Sequence, residues 1–243
     1  MIDEYISQLD TQRFGFKIAK LNLFNEDTAL LIDKLKEVDV KMIIIRVDAS
    51  DIEIINILEK IGFIVKDVQL IYNYVFKEDN EIKYYNKNNL ILREFVENDL
   101  PQIIEITRHS FNNYGHYFND NKLDRVKCLE VYLDWAKNCC LNKTVADKVI
   151  VAEKDNKIAG YLAFKHFINE NYTFASLGAV NPDFRNLGVF QAINIEGLKM
   201  ARDLDLKSVR TNVLNTNYPV NGTYIDLGFK IIKSEITMHL WVD

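Results

Sequence analysis

The chain has 243 residues, 48% of them apolar and 12% aromatic, which suffices for the core of one large domain or two small ones and excludes a disordered chain. Acidic residues outnumber basic ones, 35 to 30, so there is no general cationic excess for a nucleic-acid backbone, and sequence-independent nucleic-acid binding is excluded as a role. The longest apolar runs, such as MIII at 42–45, fall far short of the ~20 residues of a membrane helix. The start MIDEYISQLD has neither a basic nor an apolar leader region, and the chain reads as cytoplasmic, without a membrane partner.

The polar stretch KEDNEIKYYNKNN at 77–89 separates the strand-like IYNYVF at 71–76 from the alternating LILREF at 90–95. It marks a boundary between a smaller N-terminal domain at 1–80 and a larger one at 90–243, with a linker at 81–89. Residues 1–80 carry 15 acidic and 10 basic side chains and the remainder 20 of each, which makes the C-terminal part the better host for an anionic ligand. After LILREF, Asn98 or Asp99 caps a helix with Pro101 in its first turn, and a longer helical stretch covers 123–141. KVIVAEKDNKIAGYLAFKHF at 148–167 and NYTFASLGAV at 171–180 read as three antiparallel strands. Asn181-Pro182 ends them, FRNLGVFQAI enters a helix, and SVRTNVL at 208–214 is another strand. Pro219 opens a short helix that closes near Leu227-Gly228, and IIKSEITMHLWV is the last strand. The expectation is an α/β (α+β) fold, a mixed and mostly antiparallel sheet flanked by helices.

Shifted by 166 residues, the chain aligns 51–75 with 217–241, each a helix, then Gly-Phe, then a strand. Two related α/β units explain the match; chance recurrence of a common pattern is the alternative. Leu58 stands opposite Tyr224 and Asp51 opposite Asn217, so the second copy is the chemically equipped one. The three cysteines, Cys128, Cys139 and Cys140, form no CxxC pair, and the histidines His109, His116, His166 and His239 are scattered. No metal site or disulfide framework is expected, and vicinal Cys139 and Cys140 read as small packing residues on a helix.

Arg185-Asn186-Leu187-Gly188-Val189-Phe190 lies between a strand and a helix. Such a loop offers consecutive backbone N–H groups at the positive end of a helix dipole, and Gly188 admits a diphosphate close to the backbone. An ordinary helix start is the plainer reading of the same residues. The strand, loop and helix of VNPDFRNLGVFQAI and the segment NYPVNGTYIDLGF together resemble the Gcn5-related N-acetyltransferase (GNAT) superfamily over about residues 90–243. Phe190 departs from that family's small loop residue and Val220 from its usual Ala. The whole chain, with DTQRFGFKIAKL at 10–21 and SFNNYGHYFNDNKLD at 110–124, more loosely resembles the branch of sugar-nucleotide acyltransferases typified by TDP-fucosamine acetyltransferase.

The resemblance implies a GNAT-type catalytic domain preceded by a degenerate GNAT-like N-terminal unit that covers a sheet edge, helps form the acceptor site or makes a homodimer contact. It implies acetyl-CoA or a longer acyl-CoA as co-substrate and no metal. The amides of Arg185 to Phe190 would bind the diphosphate of CoA, Asn217 its arm, and the backbone at Gly178 and Val180 its pantetheine and thioester carbonyl. Tyr224 would protonate the departing thiolate, which suits a phenol protonated at neutral pH; a half-buried packing aromatic is the alternative. No residue declares itself as base for the acceptor amine. His116 is the candidate, because an imidazole titrates near neutrality, and Asn113, His116 and Tyr117 are candidate acceptor-binding residues or core packing. The implied acceptor is the amino group of a dTDP-linked amino-dideoxyhexose for surface polysaccharide. A peptide N-terminus, a polyamine or another small amine is the alternative, as is a non-catalytic acyl-CoA-binding module.

Overall fold

The computed structural model describes residues 2–22, 26–77, 82 and 88–242, with the side chains of 26, 27 and 29 set aside. In chain order the elements are α1 (Gln8–Phe14), β1 (Lys17–Leu21), α2 (Glu26–Glu37), β2 (Val40–Asp48), α3 (Ile52–Ile61) and β3 (Ile64–Val75). There follow β4 (Ile91–Glu94), α4 (Leu100–Phe111), α5 (Gly115–Phe118), α6 (Arg125–Leu141), β5 (Lys148–Lys154), β6 (Lys157–Phe167) and β7 (Tyr172–Val180). Last come α7 (Val189–Asp203), β8 (Ser208–Leu214), α8 (Tyr218–Asp226) and β9 (Lys230–Trp241). Mixed α/β architecture with largely antiparallel strand pairs agrees with the sequence reading. Among the described residues, no helix is long and apolar enough to cross a membrane.

The chain forms two compact units that do not follow its linear order. One holds Met1–Leu70, Tyr114–Cys128 and Lys233–Asp243, the other Ile71–Asn113 and Leu129–Ile232. The boundaries read from the sequence placed 114–128 and 233–243 with the C-terminal domain, whereas both segments pack within the first unit. The stretch 81–89, read as a linker, lies mostly outside the described residues.

In the first unit β1 pairs parallel with β2, and β2 pairs antiparallel with β9, Ile45 opposite Met238 and Ile44 opposite His239. Strand alternation sorts β2 by face. Ile43, Ile45 and Val47 join Met238, Leu240 and the α2 and α3 residues Ile32, Leu35, Ile55 and Leu58 in one apolar cluster. Thr237, His239 and Trp241 take the opposite face of β9, where Arg46 Nε donates to Thr237 Oγ1 at 3.3 Å and Phe16 packs on Trp241.

The two segments aligned by the 166-residue shift match in backbone detail. Asp51 and Asn217 cap α3 and α8 with nearly the same dihedrals, φ −87°, ψ 64° and φ −83°, ψ 65°. Both helices close at a left-handed glycine, Gly62 at φ 107° and Gly228 at φ 90°, where a side chain would be strained. The following Phe N–H returns to the helix in each, Phe63 to Leu58 and Phe229 to Tyr224.

In the second unit β4, β5, β6 and β7 form an antiparallel meander, and β8 adds parallel to β7. Parallel addition needs a crossover, and α7 supplies it. Val189, Ala192 and Ile193 of α7 pack with Leu162, Phe164 and Ala175 on one face of the sheet. Thr107 of α4 meets the Tyr161 hydroxyl at 2.7 Å on the other. Gly197 sets how closely α7 lies, since a Cβ there would fall 2.3 Å from the Phe164 ring. Gly197→Ala is expected to cost about 1–3 kcal/mol by overpacking, read as a lower Tm, with Phe164→Leu in the same chain recovering part of the loss. An unchanged Tm in the single variant would contradict this packing.

Candidate active site

The approach to α7 is built from the end of β7. Asn181 accepts from the Asp183 N–H at 3.1 Å and opens a single 3-10 turn over Pro182–Phe184, whose Phe184 is anchored in the core. Arg185 to Gly188 then lead into the helix, with left-handed backbone at Asn186 (φ 64°) and Gly188 (φ 71°). Left-handed residues spaced this way curl a loop so that N–H groups converge, and the first-turn amides of α7 have no acceptor four residues back. Asn88 Nδ2 braces the loop by donating to Leu187 O at 2.9 Å. Arg185 and Asn186 are exposed, Leu187, Gly188 and Phe190 half-buried, and Val189 buried. A Cβ on Gly160 would lie 2.8 Å from Val189 Cγ1, so that glycine seats the first residue of α7 against β6. The arrangement suits a diphosphate at the positive end of a fifteen-residue helix.

Beside this loop the sheet is forked. β7 pairs with β8 only from Tyr172↔Ser208 to Ala175↔Thr211, while β7 continues to Val180 against β6, with Gly178 opposite Leu162 and Val180 opposite Gly160. The register slips between Leu162 and Phe164, so Ser176 and Leu177 bulge opposite a single residue. Beyond Ala175 the edge of β7 that faced β8 presents N–H and C=O groups to whatever enters the fork. A Cβ on Gly178 would lie 2.6 Å from both Leu162 Cδ1 and Tyr161 O, so only glycine fits against β6 at that point.

The end of β8 is drawn away by α8. Asn217 N donates to Leu214 O at 3.0 Å. Asn221 Nδ2 reaches Leu214 O at 3.0 Å and Asn215 O at 3.1 Å, and its Oδ1 accepts from Tyr72 OH at 3.1 Å. Burial raises the Tyr72 phenol above its ordinary value, which keeps it a donor. Asn217 makes no side-chain cap bond, so its amide is not committed to its own helix. Tyr224 is 2% exposed, its ring stacked on Tyr72 at 5.4 Å and met edge-on by Phe190 at 5.5 Å and Phe229 at 4.9 Å. Phe190, in place of a small loop residue, thus turns its ring onto Tyr224. The candidate cofactor residues and Tyr224 all belong to the second unit.

The candidate acceptor residues are separated. Asn113 is exposed in the turn after α4, in the second unit, whereas His116 and Tyr117 are buried in the first. Tyr117 stacks on Phe14 at 5.7 Å and donates to buried Asp10 at 3.0 Å, a packing role. His116 is in a relay that the sequence did not suggest: His116 Nδ1 meets His239 Nε2 at 2.8 Å, and His239 Nδ1 meets Asp120 Oδ2 at 2.8 Å. Trp241 Nε1 donates to the same carboxylate at 3.0 Å, and Lys66 lies 3.3 Å from it. Burial opposes ionisation of Asp120, but the bonds from His239, Trp241 and the Lys122 backbone and the Lys66 charge outweigh it and hold the carboxyl well below its usual range. An ionised Asp120 fixes the proton of His239 on Nδ1, so its Nε2 accepts from His116 Nδ1–H. The lone pair of His116 is then on Nε2.

Cys139 and Cys140 are free and buried, and burial pushes their thiols up to about 11 and about 12, as packing residues require. A cavity of about 410 Å³ lined in part by Leu92, Ile150, His166 and Met200 lies at the C-terminal half of α7, away from the loop at 185–188.

Burial pushes the proton affinity of His116 well below its ordinary value, with His239, Arg46 and Lys20 adding to it and Asp120 opposing. Burial lowers His239 as well, against the pull of Asp120. A folded-state affinity below the unfolded one means that stability is full above about pH 6.5 and declines as pH falls through that value. Asp120 contributes stability lost only at much lower pH. Urea unfolding is expected to show a lower stability at about pH 5.5 than at about pH 7, with a smaller difference in His116→Gln. Equal slopes for both proteins would contradict a neutral, buried His116.

Residues 102–229, more than half of the chain, match the family described as the acetyltransferase (GNAT) family. No curated protein matches the chain. Among solved structures, a tandem GNAT protein from the clavulanic acid biosynthesis pathway superposes with a TM-score of 0.67 at 13% identity, over 93% of this chain and 75% of that one. A functionally unknown conserved protein from Staphylococcus epidermidis gives 0.63 at 13% identity, over 98% and 90%. A GCN5-related N-acetyltransferase from Sphaerobacter thermophilus gives 0.61 at 12% identity, over 88% of this chain and 65% of its own length. At such identities the likeness is one of fold, and the family match carries the assignment: the chain belongs to the acetyltransferase (GNAT) family of acyl-CoA N-acyltransferases.

Proposed function

We propose that the chain transfers an acyl group from acyl-CoA to the amino group of a dTDP-linked amino-dideoxyhexose. The observation that carries the acyl-CoA half is the fork: pairing of β7 with β8 stops at Ala175↔Thr211 next to the N-terminus of α7. An extended pantetheine arm of alternating amides suits the open edge of β7, and the diphosphate suits the amides of Arg185 to Phe190. Asn217 reaches the same arm from the cap of α8. The acceptor half rests on the whole-length likeness of the sequence to the sugar-nucleotide branch.

Bound acyl-CoA supplies a thioester carbonyl for attack by the amine. N–H groups of β7 around Gly178 polarise that carbonyl in a setting of fixed dipoles, where such stabilisation is strong. Tyr224 donates its proton to the sulfur as it leaves, its ring held by Tyr72, Phe190 and Phe229. The amine has to be neutral to attack, and its unprotonated fraction supplies the nucleophile.

Thiol release measured with acetyl-CoA and longer acyl-CoAs against dTDP-3-amino and dTDP-4-amino dideoxyhexoses tests the reading, with spermidine and a short peptide as controls. Release with a sugar nucleotide alone is expected. In Tyr224→Phe, kcat is expected to fall by about 10²-fold or more with acyl-CoA affinity nearly unchanged, because the lost proton matters only as the sulfur departs. Release with spermidine or peptide in place of the sugar overturns the acceptor, and full turnover in the variant removes Tyr224 from the mechanism.

A further inference from the structure

The face of the second unit away from α7 carries polar groups that the reaction as described does not use. Ala175 and Phe164 point toward α7, so by strand alternation Tyr172 and Phe174 point to the opposite face. Arg210 pairs with Phe174 across the parallel ladder and places its guanidinium 4.3 Å from the Tyr172 ring centroid, which fixes Arg210 on that same face. Arg210 Nε is buried and has no hydrogen-bond partner, and no ion pair involves this side chain among the described residues. β3 is the neighbour of β8 in the sheet. Tyr72 and Tyr74 of β3 turn toward Tyr224 and Phe229, so Asn73 between them turns to the opposite face, and its buried Oδ1 likewise has no donor. Ser110, on the helix α4 that packs over this face through Thr107 and Tyr161, adds a third buried oxygen without a partner.

A buried polar group left unpaired is costly, more so when charged, so Arg210 and Asn73 on one face suit a polar ligand. The guanidinium over the Tyr172 ring carries a planar fork of N–H groups, the geometry that takes phosphate or carboxylate through two bonds. Asn73 Oδ1 asks for a donor, such as a hydroxyl. Arg210 also stands one residue before Thr211, where β7 and β8 part. A ligand held by it lies on the opposite face of the sheet from α7 and its N-terminus, beside the paired stretch of β7 and β8 that leads to the fork.

We infer that Arg210, with Asn73, is the anion-recognition part of the acceptor site: it holds the diphosphate of a nucleotide-linked amine on the face opposite the CoA diphosphate, so the amine meets the thioester through the fork. This rests on the acyltransferase reading above and narrows its acceptor to one bearing an anion. A polyamine would bring a second cation against Arg210.

Calorimetric titration of dTDP, inorganic pyrophosphate and thymidine into protein already saturated with CoA tests it, because saturation closes the diphosphate site at α7. One dTDP per chain is expected, with pyrophosphate binding more weakly and thymidine not measurably. Arg210→Gln is expected to weaken dTDP by at least about tenfold and to leave CoA affinity unchanged. Arg210→Lys, which retains charge without the fork, is expected to fall between the two and decides the matter if the Gln variant fails to fold. Equal dTDP affinity in wild type and a folded variant, or no dTDP binding to the wild type, overturns the inference. Turnover of a dTDP-amino sugar with an unchanged acceptor KM in Arg210→Gln also overturns it while leaving the acyltransferase reading in place. Arg210-dependent dTDP binding in a protein that acylates no amino sugar upholds the anion site and sinks the acceptor reading instead.

Discussion

A β-strand inside a sheet leaves its N–H and C=O groups to the strands on either side, and a stretch that loses one neighbour has to find other partners. β7 is in that position from Ser176 to Val180, bonded to β6 on one edge and parted from β8 on the other. The rest of the second unit follows from this parting. It creates a slot whose walls are main chain rather than side chain, and it sets the end of β7 next to the loop that opens α7.

The fork is held open by bonds made elsewhere. The last carbonyls of β8 are taken by Asn217 and Asn221 of the α8 segment, and Tyr72 secures Asn221 in turn. These groups satisfy the β8 terminus without β7, so closing the fork would exchange one set of hydrogen bonds for another and gain little. Tyr224 leaves the same helix toward Phe190 at the start of α7, which ties α8 to the loop before α7 through two aromatic rings. The glycines work with these bonds. Gly160 lets α7 close on β6 and Gly178 lets β6 close on β7, at distances no side chain would allow, and Gly188 turns the chain into the helix in a left-handed conformation.

Local features were legible in the sequence because their causes are local. The alternation of 148–180 predicted the meander, Asn181-Pro182 its end, and the 166-residue shift two matching helix, Gly-Phe and strand segments, whose caps Asp51 and Asn217 the structure shows with nearly equal dihedrals. The loop at 185–190 was visible for the same reason. The unit boundaries were less so, because strand partners of β2 are chosen across almost 200 residues and no local signal marks 114–128 or 233–243 as belonging with the N-terminal unit. The relay from His116 to Asp120 runs through His239, 123 residues from His116 in sequence, and among four scattered histidines only a tertiary contact picks out that pair. Arg210 was hidden in a strand reading simply as SVRTNVL, since its meaning lies in the partner it does not have. Asn221 was overlooked beside Asn217 because the motif spacing pointed to the cap and not to the residue one turn on.

The central claim is that the fork and the loop before α7 together hold acyl-CoA. Amide hydrogen exchange on the whole chain, with and without saturating acetyl-CoA, tests it most directly, since a ligand that bonds to the main chain slows exchange at the amides it occupies. The account predicts slowed exchange concentrated in 176–180 and 186–191. Slowing confined to other segments, or none at all while acetyl-CoA is bound, would contradict it.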